Sequence, residues 1–165
     1  MSTFSSIVGE VYIDRDPRVS DEVAYRKRSL LYWGPFQQWE AFVGRLNEVG
    51  KYNEFVPPKV ASRIANVPGA VSRLKFAVAR EYSPAIYITP VSDSLPDRRI
   101  LHAVAQAFAG RANWGAHGPR FASEVSITTG AKAKAGVAQF KKGPQPTRGS
   151  LKVDNDALVL RLWWD

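Results

Sequence analysis

The chain contains no cysteine and only two histidines among its 165 residues. The first absence excludes disulfides, thiol catalysis and cysteine-ligated zinc. The second leaves an enzyme few groups for proton transfer near neutral pH: His102 falls within an expected helix and His117 within a Gly-rich loop. Also missing are a helical HExxH, a nucleophile elbow, a phosphate-binding loop and a dinucleotide fingerprint. The aspartates of Asp14-Arg15-Asp16-Pro17 read as a turn rather than a metal site, because Asp starts turns and Pro forbids continued pairing. No cofactor and no metal are expected. An enzymatic reading is disfavoured and would rest on His117. No apolar run approaches the roughly 18 to 20 residues that a membrane-spanning helix needs. The first ten residues are polar and short of basic side chains, so no targeting peptide is expected. The default expectation is a soluble, cytoplasmic protein.

What is present fits a single folded domain over residues 1–165, with 45% hydrophobic and 23% charged residues. The net charge of +8 is unevenly placed. Residues 1–50 carry 6 basic and 7 acidic side chains, residues 51–120 carry 10 and 4, and residues 121–165 carry 7 and 4. A positive field concentrated in the last two thirds of a chain attracts polyanions: RNA, DNA or an anionic membrane surface. The competing interpretation is solvated surface lysine with no partner.

The stretch 71–89 organises the rest. Leu74, Phe76 and Val78 alternate with Arg73, Lys75, Ala77 and Ala79, the period-two pattern of a strand with one buried face. Ser83-Pro84 reads as the turn, 85–89 as the returning strand, and Pro90 as its end. Arg73 and Lys75 are then expected together on the solvent face. Residues 5–13 read as a first strand. Gly34-Pro35 opens a helix whose stripe is Phe36, Trp39, Val43, Leu46 and Val49, widened by Phe42 and stopped at Gly50. The connection 53–69 holds the short segment 59–65, read as one or two helical turns in which Lys59 and Arg63 are neighbours at i, i+4, suited equally to contact or to packing. Ser94-Leu95-Pro96-Asp97 has the form of a capping box with Asp in place of Glu, and a helix follows with Leu101, Val104, Ala105 and Phe108 inward.

Several segments have the composition that grips phosphates. Arg26 and Arg28 share one face of an extended run beside Tyr25 and Trp33, which an edge strand with protective charges would equally explain. Arg98 and Arg99 sit in a helical first turn, where the dipole disfavours cations. Either they face an anion there, or Asp93 and Asp97 neutralise them. Arg111, Trp114, His117 and Arg120 occupy one loop, and Trp114 or Trp33 could stack on an unpaired base. Residues 121–128 read as a strand. Residues 129–136 have no bulky side chain and read as an exposed basic loop carrying Lys132 and Lys134. Val137 to Phe140 form a short strand candidate, followed by Lys141, Lys142 and a Pro/Gly-rich loop with Arg148. These loops are the expected backbone-tracking surface.

The C-terminal part reads as a hairpin turning at Asp154-Asn155-Asp156. Leu158, Leu160, Leu162 and Trp164 line one face of its last strand, and Val159, Arg161 and Trp163 the other. A strand apolar on both faces belongs in the centre of a sheet or against a partner chain. Leu158, Leu160, Leu162, Trp163 and Trp164 are accordingly the candidate interface of a homo-oligomer. The element order matches an α+β fold: an antiparallel or mixed sheet with two covering helices, with split βαβ character and a C-terminal hairpin. RNA-recognition modules use that topology, and Arg73-Leu74-Lys75-Phe76-Ala77-Val78 resembles their basic-aromatic strand, but their glycine and exposed aromatics are missing. Topology alone assigns no activity. The expectation is a non-enzymatic, self-associating nucleic-acid-binding protein, RNA ahead of DNA, gripping phosphates through the basic residues named above. Its alternative is an assembly subunit such as a viral capsid, matrix or nucleoprotein, which would place it within a virion.

Overall fold

In the computed structural model, residues 32–33, 35–49, 55–81, 83–109, 122–133 and 153–164 are described. The expected strands at 5–13 and 137–140 and the loop at 111–120 lie outside them. The elements are β1 (Tyr32–Trp33), α1 (Trp39–Val49), α2 (Pro57–Ala65), α3 (Ala70–Arg73), β2 (Leu74–Glu81), β3 (Ser83–Pro90), α4 (Leu95–Phe108), β4 (Glu124–Thr129) and β5 (Leu158–Trp163). The fold is α+β. Its five strands lie in the order β1-β2-β3-β5-β4, and every described pair is antiparallel. No helix among the described residues is long and apolar enough to cross a membrane.

The hairpin β2–β3 forms as the alternation predicts, with Phe76 opposite Ile88 and Val78 opposite Ile86, but Ser83 and Pro84, expected as its turn, belong to β3 and pair with Glu81 and Arg80. Strand β5 continues both rows, since Ile88 pairs with Leu160 and Ile86 with Leu162. Strand β4 completes them with Ile127 and Val125. The helices supply Phe42 and Leu46 from α1, Val60 and Ile64 from α2, and Leu101, Val104 and Phe108 from α4 to the core against this face. Helix α1 docks through rings: Phe42 stacks on Phe76 at 4.7 Å and Trp39 meets it edge-on at 5.3 Å. Such pairs contribute about 0.5–1.5 kcal/mol each beyond their buried area.

Four further local expectations change. Helix α1 starts at Trp39 rather than at Pro35, because Gln37 exchanges both backbone hydrogen bonds with Phe76, at 2.7 and 2.8 Å, and is held extended. The helical turns expected within the 53–69 connection extend to a nine-residue helix, opened by Pro57-Pro58 and buried through Val60 and Ile64. Residues 130–133 turn helically instead of forming an exposed loop: Gly130 donates to the Ala157 carbonyl at 2.7 Å, and Ala133 is buried. The sheet face away from the helices is also buried at its centre, where Ala77, Ala79, Ala85, Tyr87 and Val159 pack with Phe36, Val153 and Trp163.

Strand β5 is central, between β3 and β4, and this corrects the oligomer-interface expectation. Leu160, Leu162 and Trp164 are wholly buried within the single chain, so their side chains offer no surface to a second copy. The Trp164 ring lies edge-on to Phe55 at 5.0 Å and to Phe108 at 5.7 Å. Leu158 and Trp163 are partly buried, each packed against a core cluster.

Leu160→Asp should therefore unfold the monomer rather than dissociate an oligomer, since a carboxylate would replace a fully buried side chain. Circular dichroism and sedimentation together check this; a folded protein of smaller mass would overturn it. Gly69 has φ of +83°, and an added Cβ would lie 2.8 Å from the Ile100 Cδ1 atom. Gly69→Ala should cost about 1–2 kcal/mol from the left-handed backbone alone, read as a lower denaturant midpoint.

Candidate nucleic-acid interface

The sequence-predicted cations do not converge on one surface. Arg73 is the last residue of α3 rather than part of the strand, so it does not stand beside Lys75. Its guanidinium grips Asp97 with two bonds, Nε to Oδ1 at 2.6 Å and Nη2 to Oδ2 at 3.0 Å. The Arg73 side chain is 49% exposed, whereas that of Asp97 is wholly buried. Ser92 donates a hydroxyl to the same carboxylate at 2.5 Å, and Ser94 caps α4 by accepting from the Asp97 N–H at 3.4 Å. Only half of the capping box read in the sequence forms: Ser94 accepts from the Asp97 N–H, but the Ser94 N–H donates to the Ser92 hydroxyl at 3.3 Å, and the Asp97 carboxylate turns to Arg73 instead of reaching back. The start of α4 thus carries its own anion, held by Arg73 and two serines. An external phosphate would have to displace it.

Arg98 and Arg99 are exposed, as are Lys75 and Lys132. Arg98 borders a cleft of about 510 Å³ shared with Asp93, Asp154 and Asp156. Three carboxylates against one guanidinium make that cleft a poor seat for phosphate. The same acids form no metal-binding cluster; none occurs among the described residues. Lys75 projects from the opposite sheet face, as its pairing with Thr89 requires, while Lys132 belongs to the turn after β4. His102 is exposed on α4. Arg26, Arg28, Arg111, Trp114, His117, Arg120, Lys134, Lys141, Lys142 and Arg148 lie outside the described residues.

A different surface collects positive charge with no acid among its described residues. A groove of about 740 Å³ runs between α2 and the end of α4, lined by Pro58, Lys59, Ser62, Arg63, Asn66, Val67 and Ala107. Residues 59, 62, 63 and 66 follow helical spacing, so one polar face of α2 forms a wall while Val60 and Ile64 bury the other. Arg63 is fixed there: its Nη1 donates to the Ala107 carbonyl at 2.6 Å, and the guanidinium lies 6.0 Å from the Phe108 ring centroid. The pair Lys59 and Arg63 was legible in the sequence; its setting was not, because the partner wall comes from a helix more than forty residues away.

Compared with protein-family models, with curated proteins and with solved structures, the chain matches none of them.

The hydrogen bond from Arg73, and then that from Ser92, hold the Asp97 carboxyl below the usual carboxylate range against the opposing effect of burial. A depressed folded-state value stabilises the fold at pH above the unfolded aspartate range, about 3.9, and that contribution is lost as pH falls through the lower folded value. Urea midpoints measured from pH 7 down to 2 should show this acid-side loss, and Asp97→Asn should remove that component of the pH dependence. An unchanged profile in the variant would assign the loss to other carboxylates.

Proposed function

We propose that this protein binds nucleic acid through the phosphate backbone, RNA ahead of DNA, without an enzymatic step. The observation that carries this reading is one run of the chain. Between Glu54 and Glu81 there is no carboxylate, while Lys59, Arg63, Arg73, Lys75 and Arg80 supply five cations. The fold divides these cations, Arg73 to the Asp97 carboxylate and Lys75 to a separate sheet face, so the part of the run that stays together is Lys59 and Arg63 on α2, and neighbouring cations of this kind are the electrostatic footprint of phosphate binding. Of the flanking helix α4, the acid Asp97 is buried and already paired, so it subtracts little from the field outside. RNA is placed ahead of DNA because Ser62 and Asn66, beside the cations, can also engage a 2′-hydroxyl. Self-association belongs to the proposal only through a surface other than the core-facing side of β5.

Binding of single- and double-stranded RNA and DNA at two salt concentrations tests this. Affinity should fall as salt rises, with a logarithmic slope of about −0.7 per phosphate contacted on a single strand. Absence of binding to all four polymers at low salt would overturn it.

A further inference from the structure

The groove between α2 and α4 has the features of a backbone seat, and we infer that it holds one stretch of the bound nucleic acid's phosphate backbone. This rests on the nucleic-acid reading above and names where contact occurs. Among the described residues the lining includes two cations, a hydroxyl and a carboxamide, and no carboxylate. Lys59, Ser62 and Asn66 are exposed on one face of α2, and Lys59 has no ion-pair partner among the described residues.

Chemistry selects the occupant. Beside apolar surface from Pro58, Val67 and Ala107, the lining offers a pattern of donors: an ammonium, a guanidinium, a hydroxyl and an amide. Phosphate and sugar oxygens accept from these groups, and such contacts fix register without reading sequence. At about 740 Å³ the groove is open and within the usual size range of ligand clefts, roughly 300–1,000 Å³. Arg63 is already immobilised by the Ala107 carbonyl and the Phe108 ring, so ordering this wall costs little when a ligand arrives. The acidic cleft beside Arg98 supplies the contrast, since its three aspartates would repel the same strand.

The test compares three charge reversals of equal size, Lys59→Glu, Lys75→Glu and Lys132→Glu, on exposed positions of separate elements. Each purified variant is titrated against a labelled oligouridylate at several salt concentrations, with thermal melts confirming that the fold persists. Lys59→Glu should weaken binding by about tenfold and flatten the salt slope by about one contact, whereas Lys75→Glu and Lys132→Glu, neither of which lines the groove, should each stay within about twofold of the wild type. Asn66→Asp, which places a carboxylate in the groove, should act in the same direction as Lys59→Glu. Equal weakening by Lys59→Glu and Lys75→Glu would reduce the effect to net charge and overturn the groove. Wild-type affinity in Lys59→Glu and Asn66→Asp would place the contact elsewhere while leaving nucleic-acid binding intact. Failure of the wild type to bind any polymer would instead remove the function on which the groove depends.

Discussion

The structure depends on one strand being paired on both of its edges. Strand β5 joins the β2–β3 hairpin to β4, and two rows of side chains run through it without interruption. The first is Phe76, Ile88, Leu160 and Ile127; the second is Val78, Ile86, Leu162 and Val125. Helices α1 and α4 pack against these rows, and α2 and α3 pack in turn on those helices while adding apolar residues to the same core. Removing β5 would separate the rows and strip Trp164 from between Phe55 and Phe108. Thr89 marks the seam, its buried hydroxyl donating to the Leu158 carbonyl at 2.9 Å. Among the described residues this arrangement leaves one buried side-chain donor unmet, the Trp164 indole N–H, a loss of about 1–3 kcal/mol that the surrounding aromatic packing must offset.

Charge is distributed by the same architecture. The sequence places cations in clusters, but secondary structure sends neighbours to different surfaces. Arg73 and Lys75, two residues apart, separate because the helix-to-strand boundary falls between them. Arg98 and Arg99 are adjacent on α4, yet only Arg98 borders the acidic cleft. In the opposite sense, α2 and α4 bring the 58–67 segment against Ala107 and build a cationic wall from what reads in the sequence as a helical turn or two inside a connection. Local charge density in a sequence is therefore a weak guide to surface potential when helices and strands alternate at short intervals.

The hairpin, the capped helix α4 and the two-faced last strand were legible because each rests on a local rule: alternation of apolar residues, Ser94 three residues before Asp97, and leucines at every second position. The late start of α1 was not legible, because Gln37 is held extended by Phe76, a partner some forty residues away. The helical turn at 130–133 was missed because its anchors are the distant carbonyls of Ala157 and Asn155. Small residues at 131 and 133 read as loop when nothing in the sequence shows that Ala133 fills a space beside Ala77 and Tyr87. For the candidate site, residue types were readable and convergence was not. Lys59 and Arg63 needed a second wall, and Arg73 needed a carboxylate twenty-four residues on.

The Arg73–Asp97 grip has a consequence for the order of assembly. It closes a loop of 24 residues that contains the whole β2–β3 hairpin, and it joins the residue before the first strand to the first turn of the helix after the second. The Val91 N–H bonded to the Arg73 carbonyl at 3.0 Å tightens the same neck. Closing so short a loop carries a small entropic penalty, and its contacts are local. Docking of β5 pairs Ile88 with Leu160, 72 residues apart, and is the slow kind of event. The clasped hairpin with α4 is thus the unit able to form first, and until β5 arrives the edge of β3 stands open to pairing with any other extended chain.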